Sequence, residues 1–559
     1  MNEASQAAAS EQVPPKGFRL VAAAFTHRKT AVMLVLGMAA GLPNVLLLGS
    51  LYAWLGEAGV NLETMGVFSL IGLAYAFKFL WSPVVDRVRL PGLWRLGRRR
   101  SWLIPIQALV GVVLIVLSRL DPQAALGWFS LLAGLAAFAA ATQDIAIDAW
   151  RVEVADEVAT LDVLSAIYQL GFRLATLMGG ALALVLAARI GWPAVYLAMG
   201  CFMLVAMLAS WLAPDTPFPD RDDNEVALAG LPPRVRAVAL GLVAALWGWA
   251  LFTVIAFMVH SLGAEPAQRP SSTDFIKIQG PLIVIATVIL PAIIAAVIGH
   301  WQRSGRWSVN GQPVTARPNP LDHAYRALIE PLGELVGRLR WAVILVFGII
   351  LTYRLTDSVW GPFALPFYLQ ELNYTNDEVA FASKFFGVGM TMAGITLGAL
   401  AFALIGRMAA LFFAAVISAA SNLLYADLAQ GGFWLDRFGH GSGLYWLFAN
   451  FGSDDRLSRL LLAITGENLA GGFAGAAFTA YLSSITSKSH AAVQFSLLAS
   501  LTFLVGSLGR AAIGARIDAY GYAPVFYLTA ALGMVAVVLC ALEWARTAHA
   551  ARLNPELPG

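Results

Sequence analysis

The sequence predicts an all-α integral membrane fold of about fourteen transmembrane helices, arranged as two six-helix bundles plus two inserted helices. Three observations predict it. The 559 residues are 59% hydrophobic and 13% charged, against roughly 45–50% apolar and about 25% charged in soluble domains. Apolar runs of the roughly 17–25 residues that cross a bilayer recur from end to end. Lys and Arg gather in alternate short loops, the asymmetry that orients membrane helices.

Residues 1–30 are polar and lack the basic-then-apolar pattern of a signal peptide, so they are expected to form a cytoplasmic tail. The first bundle, 31–213, holds apolar segments at 31–56, 63–84, 102–118, 126–150, 162–188 and 193–213. The connecting region 214–340 differs in character. It opens on the acidic "APDTPFPDRDDNE", holds apolar runs at 237–261 and 278–300, and closes on the polar "QRSGRWSVNGQPVTARPNPLDHAYR". The second bundle, 341–545, holds segments at 341–370, 376–404, 408–428, 458–486, 492–515 and 523–545, and 546–559 are expected as a cytoplasmic tail. Glycine and proline inside these runs are tolerated where neighbouring helices cover the backbone. Lys16, Arg28, Lys29, Arg87, Arg89, Arg95, Arg98, Arg99, Arg100, Arg303, Arg306, Arg338, Arg340, Arg407, Lys488 and Arg546 fall on one side, which the positive-inside rule assigns to the cytoplasm.

Net charge is only +3, so no basic footprint for nucleic acid exists. Cys201 and Cys540 are the only cysteines, which excludes a disulfide framework or a thiolate metal site. The seven histidines show no metal-ligand spacing. The phosphate-loop, zinc-protease and serine-hydrolase motifs are all missing. ATP-driven pumping and common hydrolysis therefore have no support, and a non-enzyme without cofactors is expected. Six plus six helices with a central connection is the organisation of a major facilitator transporter, whose site lies at the midplane between the halves.

An ionisable residue deep in a span costs at least ~2.5–3.5 kcal/mol, so each needs a partner or a function. Asp144 and Asp148, in "ATQDIAIDAWRVEV", stand one helical turn apart on one face. Two such carboxylates repel and lose hydration, which suits one of them to carry a proton. The alternative for Asp148 is a helix end at the headgroups, beside an interfacial Trp150 and Arg151. Arg173 either pairs with Asp144 or binds an anionic substrate group. Arg354 and Asp357 share a face at i,i+3, as a functional or a self-neutralising pair. Lys384 and Glu467, the latter beside Asn468, sit deep among glycines and apolar residues and are candidate cavity groups. Lys78 either faces that cavity or reaches the membrane boundary, and Arg510 is read as structural. Trp54, Tyr168, Trp360 and Phe385 offer rings for stacking on sugars, against plain packing.

Several stretches in order, "GLPNVLLLGSLYAWL", "FSLIGLAYAFKFLWSPVVDR", "ATQDIAIDAW", "LGFRL", "YRLTDS", "SKFFG" and "ENLAGGFAGAAFTAYLSSITSKSHAAVQFSLLAS", resemble the AmpG family of muropeptide permeases within the major facilitator superfamily. The resemblance covers nearly all of both bundles. It implies proton-coupled import of GlcNAc-1,6-anhydroMurNAc, with or without its peptide, across the bacterial inner membrane, for cell-wall recycling and β-lactamase induction. It implies a carrier that works as a monomer in the lipid bilayer. The matching polar positions are Lys78, Gln143, Asp144, Asp148, Arg173, Asp357, Lys384, Glu467, Asn468 and Gln494. On that basis Asp144, Asp148, Asp357 and Glu467 are expected to handle protons. Gln143, Tyr168, Arg173, Arg354, Lys384, Asn468, Gln494 and Lys78 are expected to meet substrate, and Asp86 and Arg87 to gate. At Arg354 the family often has Lys. The "D-R" of Asp86–Arg87 is separated from Gly97–Arg98–Arg99–Arg100 by a stretched segment, and the regions 214–340 and 430–458 exceed the minimal pattern. The rival readings are a carrier of another anion, such as acetyl-CoA, and a membrane-embedded transferase, for which the 301–340 loop shows no catalytic motif.

Overall fold

In a computed structural model of the chain the described residues are 27–60, 65, 68, 70–88, 90–214, 216, 232–265, 268–303, 325–355, 363–502, 513 and 516–553. Among them every regular element is helical. The first half comprises α1 (Arg28–Glu57), α2 (Ile71–Ala76), α3 (Ser82–Arg87), α4 (Arg100–Leu117), α5 (Leu126–Val154), α6 (Leu161–Ile190) and α7 (Trp192–Leu212). The inserted pair is α8 (Pro233–Gly263) and α9 (Ser272–Trp301). Then come α10 (Glu330–Leu339), α11 (Ala342–Thr352), α12 (Asn376–Ile405), α13 (Arg407–Ala429), α14 (Phe433–Gly441), α15 (Leu444–Ala449), α16 (Asp455–Ser484), α17 (Ala491–Ser500) and α18 (Tyr522–Leu553).

Each of the fourteen expected segments contains helix, yet only 11 helices among the described residues are long and apolar enough to cross a bilayer, or 12 if the bent pair α10 and α11 makes one crossing. The segment 63–84 is interrupted. After α2 the chain tightens into a 3-10 turn at Lys78–Trp81, with Phe77 at φ −108° and ψ 16°. It restarts as α3 with Pro83 in the first turn, where a missing N–H costs nothing. In the segment 341–370, α11 ends at Thr352, and the helical piece Ala364–Pro366 widens into a π turn at Phe367–Glu371. Residues 356–362, with Asp357 and Trp360, lie outside the described residues, as do 503–512 with Arg510 beyond α17.

Two regions expected as loops are helical. α10 turns by 106° into α11 at Arg340, whose φ of 52° breaks the helix. Leu332, Leu335 and Val336 line its buried side, at helical spacing. The region 430–458 folds into α14 and α15, the first capped by Asp427, which accepts from the Trp434 and Leu435 N–H groups.

Lipid tails are as apolar as leucine, so helices here associate through close packing rather than burial from water. Glycines permit that approach. Gly37 of α1 and Gly171 of α6 meet backbone to backbone, and Gly394 of α12 meets α16 in the same way: a Cβ on Gly171 would stand 2.3 Å from the Leu34 carbonyl oxygen. Gly171→Ala is therefore expected to cost about 1–3 kcal/mol by forcing α1 and α6 apart. A lowered thermal unfolding midpoint in detergent checks this, with Gly389→Ala, at an open position, as the unaffected control. Outward, α8 exposes Phe252, Ile255, Val259 and Leu262, a surface suited to a bilayer.

The halves meet through α6, which packs on α12 and α16, and through α17, which packs on α3 and α5. Gln169 donates to Thr479 at 2.8 Å, and Arg407 pairs with Asp162 at 2.5 Å. The inserted helices share one apolar core with α2, α10, α11 and α17.

Candidate functional site

The break between α2 and α3 aims Lys78 at α5. Its Nζ lies 3.4 Å from Asp144 Oδ2 and 3.6 Å from Asp148 Oδ2, one ammonium between two buried carboxylates. Their one-turn spacing makes this possible, since both point to one side of α5. Arg151, one turn further on, pairs with Asp148 at 3.1 Å and donates to Ser483 of the second half at 3.2 Å. Its guanidinium lies over the rings of Tyr168 and Phe495, at 4.7 and 4.9 Å. Two cations thus face two carboxylates, and Asp144 Oδ1 is buried without a hydrogen bond. An unsatisfied buried acceptor of this kind is costly and is relieved by a proton.

This geometry bears on readings that the sequence leaves open. α5 continues to Val154, so Asp148 lies within the helix rather than at its end. Trp150 and Arg151 are fully buried rather than interfacial, and Trp150 donates to the Pro214 carbonyl at 3.2 Å. Lys78, not Arg173, is the cation paired with Asp144, and it is held inside the protein instead of reaching to the boundary. Arg173 is half-buried on α6, five residues from Tyr168.

In the second half, Tyr425 of α13 donates to Glu467 of α16, and Tyr368 stands 2.8 Å from Tyr425. With the Tyr425 proton committed to the carboxylate, Tyr368 donates to Tyr425, giving an ordered chain of hydroxyls that ends on a titratable group. Neither tyrosine was singled out from sequence, although a tyrosine where phenylalanine would pack as well was the available signal. Asn468 accepts from Thr391 at 2.9 Å. The Arg354 guanidinium lies against Gly475 of α16, within 3.6 Å of where a Cβ would be. Lys384 and Phe385 are exposed, on the π turn of α12 at Phe381–Phe386, which meets the π turn of α6 at Leu177–Leu182. Trp54 packs on Phe129 and Tyr196, away from these groups.

The face bearing the basic loops is closed. Asp86 Oδ1 accepts from Arg98 at 2.8 Å and Arg99 at 2.6 Å, and Glu153 pairs with Arg99 at 2.6 Å and Arg98 at 3.1 Å. The stretched "D-R…G-R-R-R" segment therefore still brings its charges together. Burial pushes the Asp86 carboxyl up, but Arg99 and Arg98 outweigh it and hold the group below the usual carboxylate range. Arg98 also donates to the Ser489 carbonyl across the seam at 3.1 Å. α10 adds a clasp. Arg87 donates to the Arg326 carbonyl and faces Glu330 at 3.5 Å. Gln494 donates to the Pro331 carbonyl at 2.7 Å and to Glu334 at 2.6 Å, and Arg338 donates to the Ile485 carbonyl at 2.7 Å. Gln494, expected at the substrate, is thus engaged in the clasp. Gln143 is likewise buried, donating to the Ala39 carbonyl at 2.7 Å.

His490, in the loop between α16 and α17, sits among Asp86, Arg87, Arg98 and Glu334, and burial lowers its pKa to about 4. If opening this face rehydrates it, its pKa returns toward about 6.5. A base whose pKa is depressed in the closed state binds fewer protons there, so closure is fully favoured above about pH 6.5 and weakens as pH falls toward about 4. Measured against an exposed cysteine at the same pH, thiol labelling of a buried Ser483→Cys variant in a Cys201→Ser background is expected to rise several-fold as pH falls through that window, and His490→Gln to flatten the rise.

Along its length the chain is 28% identical to the anhydromuropeptide permease of Escherichia coli strain K12, over 93% of this chain and 82% of that one. It is 24% identical to the putative transporter AmpG 4 of Rickettsia conorii, over 90% and 94%. The family model of acetyl-coenzyme A transporter 1 matches residues 30–126. Among solved structures, the proton:xylose symporter XylE of the major facilitator superfamily aligns over 91% of this chain and 94% of its own, with a TM-score of 0.51 at 10% identity. The fold is that of the major facilitator superfamily, and the AmpG resemblance read from the motifs extends over 93% of the chain.

Proposed function

We propose that this chain, AmpG-like over most of its length, is a proton-coupled carrier that imports GlcNAc-1,6-anhydroMurNAc and its peptides across the bacterial inner membrane. The basic, closed face is then the cytoplasmic one, with both termini on that side, and the carrier works as a monomer. The observation that carries this reading is the buried Asp144–Lys78–Asp148 arrangement, with an acceptor oxygen left unsatisfied on Asp144. A proton taken by Asp144 releases Lys78 to Asp148 and leaves one fewer ionised side chain to stay dehydrated as the halves rock. Asp148 in turn holds Arg151, which reaches Ser483 of the other half, so protonation is coupled to the seam.

Arg173, Arg354 and Lys384 are suited to the carboxylates of a peptide-bearing sugar, and Glu467 and Asn468 to its hydroxyls. Tyr425 and Tyr368 position Glu467. Inward opening requires the Arg98–Ser489 contact and the α10 clasp to part. The match of residues 30–126 to the acetyl-coenzyme A transporter model favours a second reading, transport of an acyl-CoA anion. Uptake of labelled GlcNAc-anhydroMurNAc by proteoliposomes separates the two. The muropeptide reading expects competition by unlabelled muropeptide and none by acetyl-CoA, and the opposite pattern overturns it.

A further inference from the structure

The surface facing away from the seam contains a cavity that the transport mechanism does not use. It has a volume of about 810 Å³ and lies between α13, α16, α18 and the α14–α15 hairpin. Its walls are largely apolar, with Leu423, Leu424, Phe438, Leu444 and Leu462; of the polar lining, Asp427 is engaged by the Trp434 and Leu435 N–H groups and Tyr527 donates to Gln430 at 3.2 Å. The size falls in the range of small-molecule sites, about 300–1,000 Å³.

What occupies it follows from where it opens. Along α13 the exposed side chains Phe413, Ile417, Ala420 and Leu423 recur at intervals of three or four, a single stripe on the bilayer side of the bundle. That stripe ends inside the cavity. Above it, α14 turns Phe433, Trp434, Arg437 and Phe438 outward while Leu435, Asp436 and Gly439 face the protein. Aromatic rings with a cation among them suit the headgroup layer, and Arg437 lies 5.9 Å from the Trp434 ring centre. Asp436 is occupied by Arg459 and Tyr445, so it does not oppose an anionic headgroup beside Arg437.

We propose that this cavity binds one acyl chain of a membrane phospholipid, with its phosphate beside Arg437, and that the α14–α15 hairpin rests in the interface as the cover of that site. Dioleoyl phosphatidylglycerol is the probe. Native mass spectrometry of full-length protein released from bilayers of this lipid is expected to show one tightly retained molecule. A Leu423→Trp/Leu444→Trp variant, filling the cavity, is expected to lose it while keeping its thermal midpoint in lipid-free detergent and its uptake activity. Glycerol phosphate, the headgroup without chains, is expected not to displace the lipid. Equal retention by wild type and variant, or displacement by glycerol phosphate, overturns the proposal. An Arg437→Gln variant that keeps the retained molecule but binds phosphatidylglycerol and phosphatidylcholine alike, where wild type prefers the former, supports the placement of the phosphate.

Discussion

Asp144→Asn is expected to abolish accumulation of substrate against its gradient while leaving exchange of labelled for unlabelled substrate intact. A gradient of one pH unit carries about 1.4 kcal/mol per proton, about tenfold in concentration. A carrier that has lost its proton site can only equilibrate, so its accumulation ratio falls to unity. The substitution removes the carboxylate whose Oδ1 is buried without a partner and keeps the shape of the side chain. The fold survives it because Lys78 retains Asp148, at 3.6 Å. Asp148→Asn is a different lesion. It strips Arg151 of its carboxylate at 3.1 Å as well as halving the compensation of Lys78, so exchange falls along with coupling. Transport by Asp144→Asn that still concentrates substrate under a pH gradient removes Asp144 from the mechanism.

Arg99→Ala is expected to be the most destabilising single change at the basic face. Arg99 is fully buried and lies 2.6 Å from both Asp86 and Glu153. Removing it strands buried carboxylates around Arg98 alone, and breaking a buried pair in this way costs about 3–5 kcal/mol. The partly exposed Lys29–Asp156 pair offers the contrast, since pairs of that kind contribute about 0–1 kcal/mol. Thermal unfolding in detergent checks the ranking, and adding Glu153→Gln to Arg99→Ala is expected to recover part of the loss. The sign of the acid response follows from Asp86. Its pKa is lowered in the closed state, so its stabilisation is present above the ordinary carboxylate range and disappears as pH falls through the lowered value.

The fold was legible because a bilayer demands long apolar helices, and composition reports these directly. Eleven spans appear as continuous helices near the expected bounds. The interrupted one at Lys78 was not legible, because a 3-10 turn inside an apolar run leaves the hydropathy unchanged. The spacing of Asp144 and Asp148 told which face they share, but not which neighbour that face meets, so a pair of Arg173 with Asp144 stood as one of two readings where the structure places Lys78. α10 was hidden for a related reason. It is a short helix with a narrow apolar stripe, and its work is done through Glu330, Glu334 and Arg338, which read as ordinary loop charges until α17 and α3 are placed beside them. Gln494 was expected at the substrate through the AmpG resemblance. Its partner is a backbone carbonyl of α10, and its amide also donates to Glu334.

The central claim is that movement of an anhydromuropeptide is tied to movement of a proton through the carboxylates on α5. Purified protein in proteoliposomes, given GlcNAc-anhydroMurNAc peptide with and without an imposed pH gradient at zero membrane potential, tests it most directly. Concentrative uptake toward the alkaline side, matched by alkalinisation of the acidic side and absent without the gradient, is the expected result. Uptake that reaches the same level with and without the gradient contradicts it.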